Sequence, residues 1–229
     1  MAEQTLQTFN HFSMVRFSDA YWRESPECRQ HIRSAWLEGV RRTADAAHVY
    51  QSFGPQATTD LLIWCACTGG DPDRPKDFFG AYAQATAPAR TYLTVHSTLW
   101  GFTRPSQYTK TRSTQEIDPF ETTRAPYLIM YPFVKTPSWY LEGREERQAM
   151  MLDHIKIGKQ YKDITQLLLY SFGLQDQEFV VVYETEDLLR FLNLVSDLRS
   201  TKARLYTERD TPLHSGIHQA DENALAAWL

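Results

Sequence analysis

The chain has 229 residues, 42% apolar and 23% charged, with a formal net charge of -4. That is enough apolar material for a buried core, and it fits neither a disordered chain nor one that spans a membrane; the longest apolar run, residues 61–67, is far short of the ~20 residues that cross a bilayer. The acidic balance speaks against a nucleic-acid partner, whose binding rests on neutralising phosphates. Cys28, Cys65 and Cys67 make no disulfide framework, and the first residues lack the basic and apolar regions of a leader, so the expectation is a cytoplasmic protein without a membrane partner.

In chain order, residues 9–17 alternate as a strand, and residues 26–45 carry helical spacing behind a Ser25 cap. Residues 49–53 and 61–67 read as a hairpin, 77–90 as a helix and 92–102 as a strand. A polar connection, 103–125, follows; it is over 20 residues long, which marks a functional loop. The order then returns: strand 127–134, helix 145–161, strands 166–172 and 178–184, helix 187–198, and strand 206–218. Landmarks return with it. Ser52-Phe53-Gly54 and Ser171-Phe172-Gly173 are 119 apart, Trp22 and Trp139 117, Ala89-Arg90 and Ala203-Arg204 114, Gly101 and Gly216 115. Each half is therefore a βαββαβ unit. The expected fold is α+β, with tandem ferredoxin-like repeats whose sheets pack face to face or close into a barrel, helices outside. Its parts are an N-terminal repeat 1–110, a connecting loop 111–124 and a C-terminal repeat 125–229.

Among seven histidines, His154 lies on one helical stripe with Met150, Met151, Ile157 and Tyr161. Two readings stand open there: a core imidazole satisfied by a carbonyl, or an axial ligand to haem iron. Zinc would need a second His or Cys at ligand spacing. Cys65 and Cys67 read as small core residues. In Tyr131-Pro132-Phe133-Val134-Lys135, alternation puts Tyr131, Phe133 and Lys135 on one face. A phenol and an ammonium there either meet an anionic partner or belong to an edge strand reaching into water.

The run Tyr131-Pro-Phe-Val-Lys-Thr-Pro-Ser-Trp-Tyr140, followed by Glu145-Glu-Arg-Gln148 and Asp153-His154, resembles the haem-binding half of the chlorite dismutase-like family, which includes coproheme decarboxylases. The likeness continues through residues 166–174, 197–199, 203–204 and 211–216. It implies a dimeric α+β barrel, assembly as a homo-oligomer (commonly a pentamer), and one haem per C-terminal half. His154 then corresponds to the proximal iron ligand, with Met151 beside it. Tyr131, 23 residues earlier, corresponds to the radical tyrosine of the decarboxylases, Lys135 to a cation near a propionate, and Trp139 to a tryptophan of the proximal side. Gln166 stands where true chlorite dismutases carry an arginine. A neutral amide can hydrogen-bond peroxide or water but offers no charge to hold chlorite. The carboxylate that the family pairs with its proximal histidine is absent near Lys202. No histidine precedes Tyr131 in the loop, and Arg112 and Arg124 are both candidates for the arginine other branches place there. Arg104 and Lys110 add cations to the same loop, although a solvated linker with scattered charge reads equally well. The resemblance implies hydrogen peroxide-dependent decarboxylation of iron coproporphyrin III to haem b, with Tyr131, Lys135 and Gln166 in the reaction. A peroxidase or weak chlorite-degrading enzyme, a haem carrier, and a barrel that has lost its haem are the alternatives.

Overall fold

A computed structural model describes residues 7–108 and 113–229, the side chains of 222 and 223 excepted. Strand β1 (Thr8–Phe17) leads through a short helix α1 (Asp19–Trp22) into α2 (Pro26–Arg41). The Ser25 hydroxyl accepts from the Cys28 N–H and Pro26 opens the first turn, the expected start signals. Strands β2 (Ala46–Gln51) and β3 (Leu61–Thr68), helix α3 (Arg74–Thr86) and strand β4 (Leu93–Phe102) complete the first unit. The second runs β5 (Tyr127–Lys135), α4 (Pro137–Leu141), α5 (Arg144–Gly158), β6 (Thr165–Tyr170), β7 (Phe179–Thr185) and α6 (Leu188–Arg199). Trp22 and Trp139 thus repeat because each sits in the short helix after its unit's first strand. The single strand expected over 206–218 is corrected. A tight turn (Lys202–Tyr206) precedes β8 (Thr207–Arg209), and β9 (His214–His218) follows beyond Pro212, which has no N–H to give a ladder. A last helix, α7 (Glu222–Ala226), seats Leu225 and Leu229 in the first unit's core.

Pairing runs β7-β6-β4-β1-β3-β2-β9-β5, and β5 returns to β7, so eight strands close a ring with β8 appended to β5. The expected barrel is therefore present. Its interior is Phe12, Met14, Leu62 and Trp64 from one half against Leu128, Met130, Leu167 and Val180 from the other. The halves join at two narrow seams, β4–β6 at Phe102↔Tyr170 and β2–β9 at Tyr50↔His218 and Gln51↔Ile217. The repeated glycines occupy these seams. A Cβ on Gly101 would lie 2.7 Å from the Tyr170 carbonyl oxygen, and one on Gly216 2.7 Å from the Tyr50 Cβ. Close strand approach, not turn geometry, accounts for both. Among the described residues, no helix is long and apolar enough to cross a membrane.

The described residues 115–119 of the connection between the units dock on the barrel. Ile117 is buried in the barrel interior. Gln115 and Ile117 pair with the Gln166 backbone (Gln166 N to Gln115 O 2.7 Å; Ile117 N to Gln166 O 3.0 Å). The Gln115 amide also donates to the carbonyls of Tyr161 and Ile164, tying the end of α5 to β6.

Candidate functional site

The two units share an architecture but treat their first long helix differently. Helix α2 buries Arg33, Trp36, Leu37 and Val40 against its sheet. Its counterpart α5, 15 residues long, buries none. Met150, Met151, His154, Ile155 and Ile157 share the partly covered side of α5, Leu152 lies on the exposed one, and none of them is fully buried. Its end is tied down where Ile157 packs on the second unit's outer core and the Tyr161 hydroxyl donates to Asp197 on α6 at 2.5 Å, and nearer its start the Gln148 amide donates to the Tyr108 carbonyl at 3.1 Å.

The sheet face under α5 is apolar and aromatic. Register aligns Gln166, Tyr183 and Ile129 in one row, Leu168, Val181 and Tyr131 in the next, and Tyr170, Phe179 and Phe133 in the third. Phe133 stacks on Phe179 at 4.6 Å, and Arg104 lies 5.7 Å over the Tyr170 ring. Gln166 and Leu168 are exposed on this wall, a costly place for a leucine unless something apolar covers it. Gln166 is thus on the same face as Tyr131, two strands away.

His154 is half-buried on α5, and its Nδ1 is buried with no hydrogen-bond partner among the described residues. Burial, reinforced by the nearby Lys135 ammonium, lowers its pKa to about 4, so the imidazole is neutral at neutral pH and able to ligate. Lys135 is itself lowered to about 8, by burial first and Arg204 second, with Glu178 opposing. Its ammonium donates to the Ala203 carbonyl at 3.3 Å and lies 4.7 Å from the Trp139 ring centroid. Trp139, buried on α4, packs on Tyr206. Lys202 is exposed, and buried Ala203 is the residue beside Lys135. Burial raises the Tyr131 phenol, the Tyr183 hydroxyl and the cations Arg199 and Arg204 pull it down, and Asp210 pushes it up.

The structure places Tyr131, Gln166 and Tyr170, with Arg104 over the Tyr170 ring, on one outward sheet face, and Lys135 beside Trp139 and near His154; Met151 is half-buried on α5. Arg124 is not among them, which corrects the expectation. Its side chain is 3% exposed on the barrel's interior side, 3.7 Å from Glu184 and over the Trp64 ring. Loop position depends on long-range packing, and nothing local in the sequence signals it. Arg112 and Lys110 lie outside the described residues. Sequence reasoning missed Tyr183, the paired Arg204 and Asp210 (3.1 Å), and Glu178, which accepts from the Lys135 N–H and the Tyr140 hydroxyl. Alternation along the Phe179–Thr185 run was the available signal for Tyr183. No cluster of three or more His, Cys, Asp or Glu that could hold a metal ion occurs among the described residues, so a lone imidazole is the donor on offer.

Known proteins resemble this chain in sequence and fold. The family described as chlorite dismutase matches residues 27–219. The coproheme decarboxylase of Mycolicibacterium smegmatis is 30% identical over 180 residues, 78% of this chain and 75% of that protein. Chlorite dismutase from Candidatus Nitrospira defluvii, solved in complex with imidazole, superposes with a TM-score of 0.77 at 20% identity, covering 96% of this chain and 94% of that one. A variant of that enzyme in complex with cyanide gives 0.79 at 22% identity, covering 94% and 92%.

Proposed function

The chain belongs to the chlorite dismutase family, and we propose that it is a haem enzyme that decarboxylates iron coproporphyrin III to haem b with hydrogen peroxide. One observation carries the reading. Helix α5 buries none of its residues, yet it holds a neutral, half-buried imidazole over an apolar wall that carries a phenol. A flat apolar macrocycle with a metal at its centre fits that arrangement: Leu168 and the underside of α5 offer surface to its faces, and the imidazole lone pair offers a bond to its iron. The buried, unpartnered Nδ1 of His154 agrees with a histidine placed for its other nitrogen.

When bound, the iron porphyrin supplies the redox chemistry of peroxide. His154 holds the iron. Tyr131, half-buried on the wall, carries the hydrogen atom: it loses an electron and a proton, then recovers a hydrogen atom from the β-carbon of a propionate. Each turnover removes two electrons and one proton from the propionate arm, leaving a vinyl group and CO2, while one peroxide becomes two waters. Lys135 and the pair Arg204–Asp210 set the charge around Tyr131 and the carboxylate rim. Gln166 offers a neutral donor and acceptor for peroxide. The decarboxylase relative supports this branch of the family. We read the protein as a homo-oligomer, a pentamer as the resemblance implies; the exposed Leu188, Leu189 and Leu192 on α6 support self-association.

The test is a titration of the apo-protein with ferric coproporphyrin III, followed by the Soret band, then stepwise peroxide addition followed by porphyrin mass. A Soret shift and two successive losses of CO2 with hydrogen are expected. Bleaching without decarboxylation refutes the reaction. A Soret shift that survives His154→Ala refutes the ligand.

A further inference from the structure

The outward face that carries Tyr131 holds a second half-buried phenol that the proposed reaction leaves unused. Tyr131 is on β5 in the second row, and Tyr170 is on β6 in the third, one row along and two strands across. Strand spacing and rise put their Cα atoms about 12 Å apart. Nearby phenols are otherwise engaged. Tyr140 donates to Glu178, Tyr161 to Asp197 and Tyr206 to Glu142. Tyr183 is 5% exposed, and Tyr127 lies beyond the Gln166 row, packed on the outer core.

Tyr170 is fixed where β6 meets β4. Gly101 lets the Tyr170 carbonyl oxygen come within 2.7 Å of the place a Cβ would take, and Phe102 pairs with Tyr170. Phe179 at 5.4 Å and Phe172 at 6.4 Å flank the Tyr170 ring. Beyond Phe102, the Thr103 N–H donates to the Thr8 carbonyl at 3.0 Å, which anchors the chain just before Arg104. The Arg104 guanidinium lies 5.7 Å over the Tyr170 ring. Arg104 is exposed, and no carboxylate among the described residues pairs with it. At the other end of this row the Lys135 ammonium lies 5.9 Å over Phe133, the residue next to Tyr131 on the same face. The row Tyr170–Phe179–Phe133 therefore has a cation over each end and a phenol beside each cation. A guanidinium over a ring keeps its in-plane N–H groups free for a carboxylate.

We propose that Tyr170 is a second hydrogen-atom carrier, serving a second carboxyethyl arm whose carboxylate Arg104 holds, while Tyr131 serves the first. The inference rests on the proposed reaction, which converts two arms on neighbouring pyrrole rings. A paired strand holds each phenol in place, so Tyr131 alone could serve both arms only if the macrocycle turned in its site between turnovers. Two phenols and two cations let both arms react from one seating. The second turnover balances as the first does. The Tyr170 O–H gives an electron and a proton to the reduction of a second peroxide. Its phenoxyl takes a hydrogen atom from the β-carbon of the arm beside it, breaking that C–H bond and restoring the O–H. The arm then gives one more electron to the peroxide, its bond to the carboxylate breaks, and CO2 and a vinyl group result. With one proton from solvent, the peroxide becomes two waters.

The experiment follows porphyrin mass while protein loaded with ferric coproporphyrin III is titrated with peroxide. The unsubstituted protein should lose two CO2. Tyr170→Phe should show the unsubstituted Soret shift on loading and stop after one loss. Arg104→Ala should slow the second loss roughly tenfold, the scale of one charged hydrogen bond. Two losses in Tyr170→Phe at the unsubstituted rate overturn the proposal and leave the proposed function intact. No loss from the unsubstituted protein overturns both. A second measurement separates hydrogen transfer from seating of the porphyrin. Protein loaded with the isolated one-vinyl, three-carboxylate porphyrin is mixed with peroxide and frozen, and its tyrosyl radical is read by electron paramagnetic resonance. A signal that disappears in Tyr170→Phe and persists in Tyr131→Phe supports the proposal. A signal that persists in Tyr170→Phe overturns it.

Discussion

Acid should unfold this protein through two imidazoles that play no part in the proposed reaction. His11, on β1, is caged by the rings of Phe78, Phe79 and Tyr82 at 5.1 to 5.9 Å, and burial lowers its pKa from 6.5 to about 3. His48 lies under the connection between the units, its Nε2 hydrogen-bonded to the Pro119 carbonyl at 2.8 Å. Burial lowers it to about 4, against the pull of that bond. Both folded-state values lie below the unfolded one, so the unfolded chain binds more protons and stability falls as pH drops from about 6.5 towards 4. Between pH 7 and pH 5 each imidazole removes about 2 kcal/mol, together about 4 kcal/mol from a total of about 5 to 15 kcal/mol. Buried Glu184, whose pKa is raised chiefly by burial, acts in the opposite sense, and for that reason the measurement is a difference. Urea unfolding of the apo-protein at several pH values is compared with that of His11→Phe. The quantity read is the slope of stability against pH, not its intercept. The variant should lose about 2 kcal/mol of the pH-dependent change over this window. An unchanged slope would refute the claim that His11 stays neutral in the folded state.

The seams and the buried pair give two further expectations. Gly216→Ala, whose Cβ would crowd Tyr50, should cost about 1 to 3 kcal/mol in urea unfolding, whereas Gly80→Ala, in the exposed middle of α3 with open space around it, should stabilise by up to about 1 kcal/mol. Glu184→Leu removes the carboxylate that faces buried Arg124 at 3.7 Å and accepts from the Tyr50 hydroxyl at 3.0 Å. The stranded guanidinium should cost about 3 to 5 kcal/mol by the same measurement, and a loss under about 1 kcal/mol would show that Arg124 finds water.

The architecture was legible because it is duplicated. Gly101 and Gly216 repeat since two strand seams each need a residue without a side chain, and Trp22 and Trp139 repeat since each marks the same turn away from the sheet. Duplication turns weak local signals into paired ones. It also marks where reading failed. Arg124 has no counterpart in the first unit, and its placement inside the barrel depends on Ile117 and Pro119 docking across strands remote in sequence. The break at Pro212 was visible as a residue without an N–H, but the alternation on either side obscured it.

The same duplication supplies an internal control for the site. Both units present an outward sheet face to a long helix, and the solution in the first is a filled core in which Trp36, Leu37 and Val40 of α2 meet Phe9, Leu61 and Ile63. In the second, α5 brings Met150, Met151 and His154 to the equivalent place without burying one of them, while Leu168 and Gln166 stay exposed beneath. Apolar surface left open on a helix and on the strand below it is unfavourable by about 25 cal/mol per Å2, and α2 shows that this fold can close such a gap with side chains alone. In the proposed function, a broad, flat and largely apolar guest with a metal for His154 and acids for a cationic rim covers this open face, beside the core that Ile129, Val181, Tyr183 and Phe191 already form.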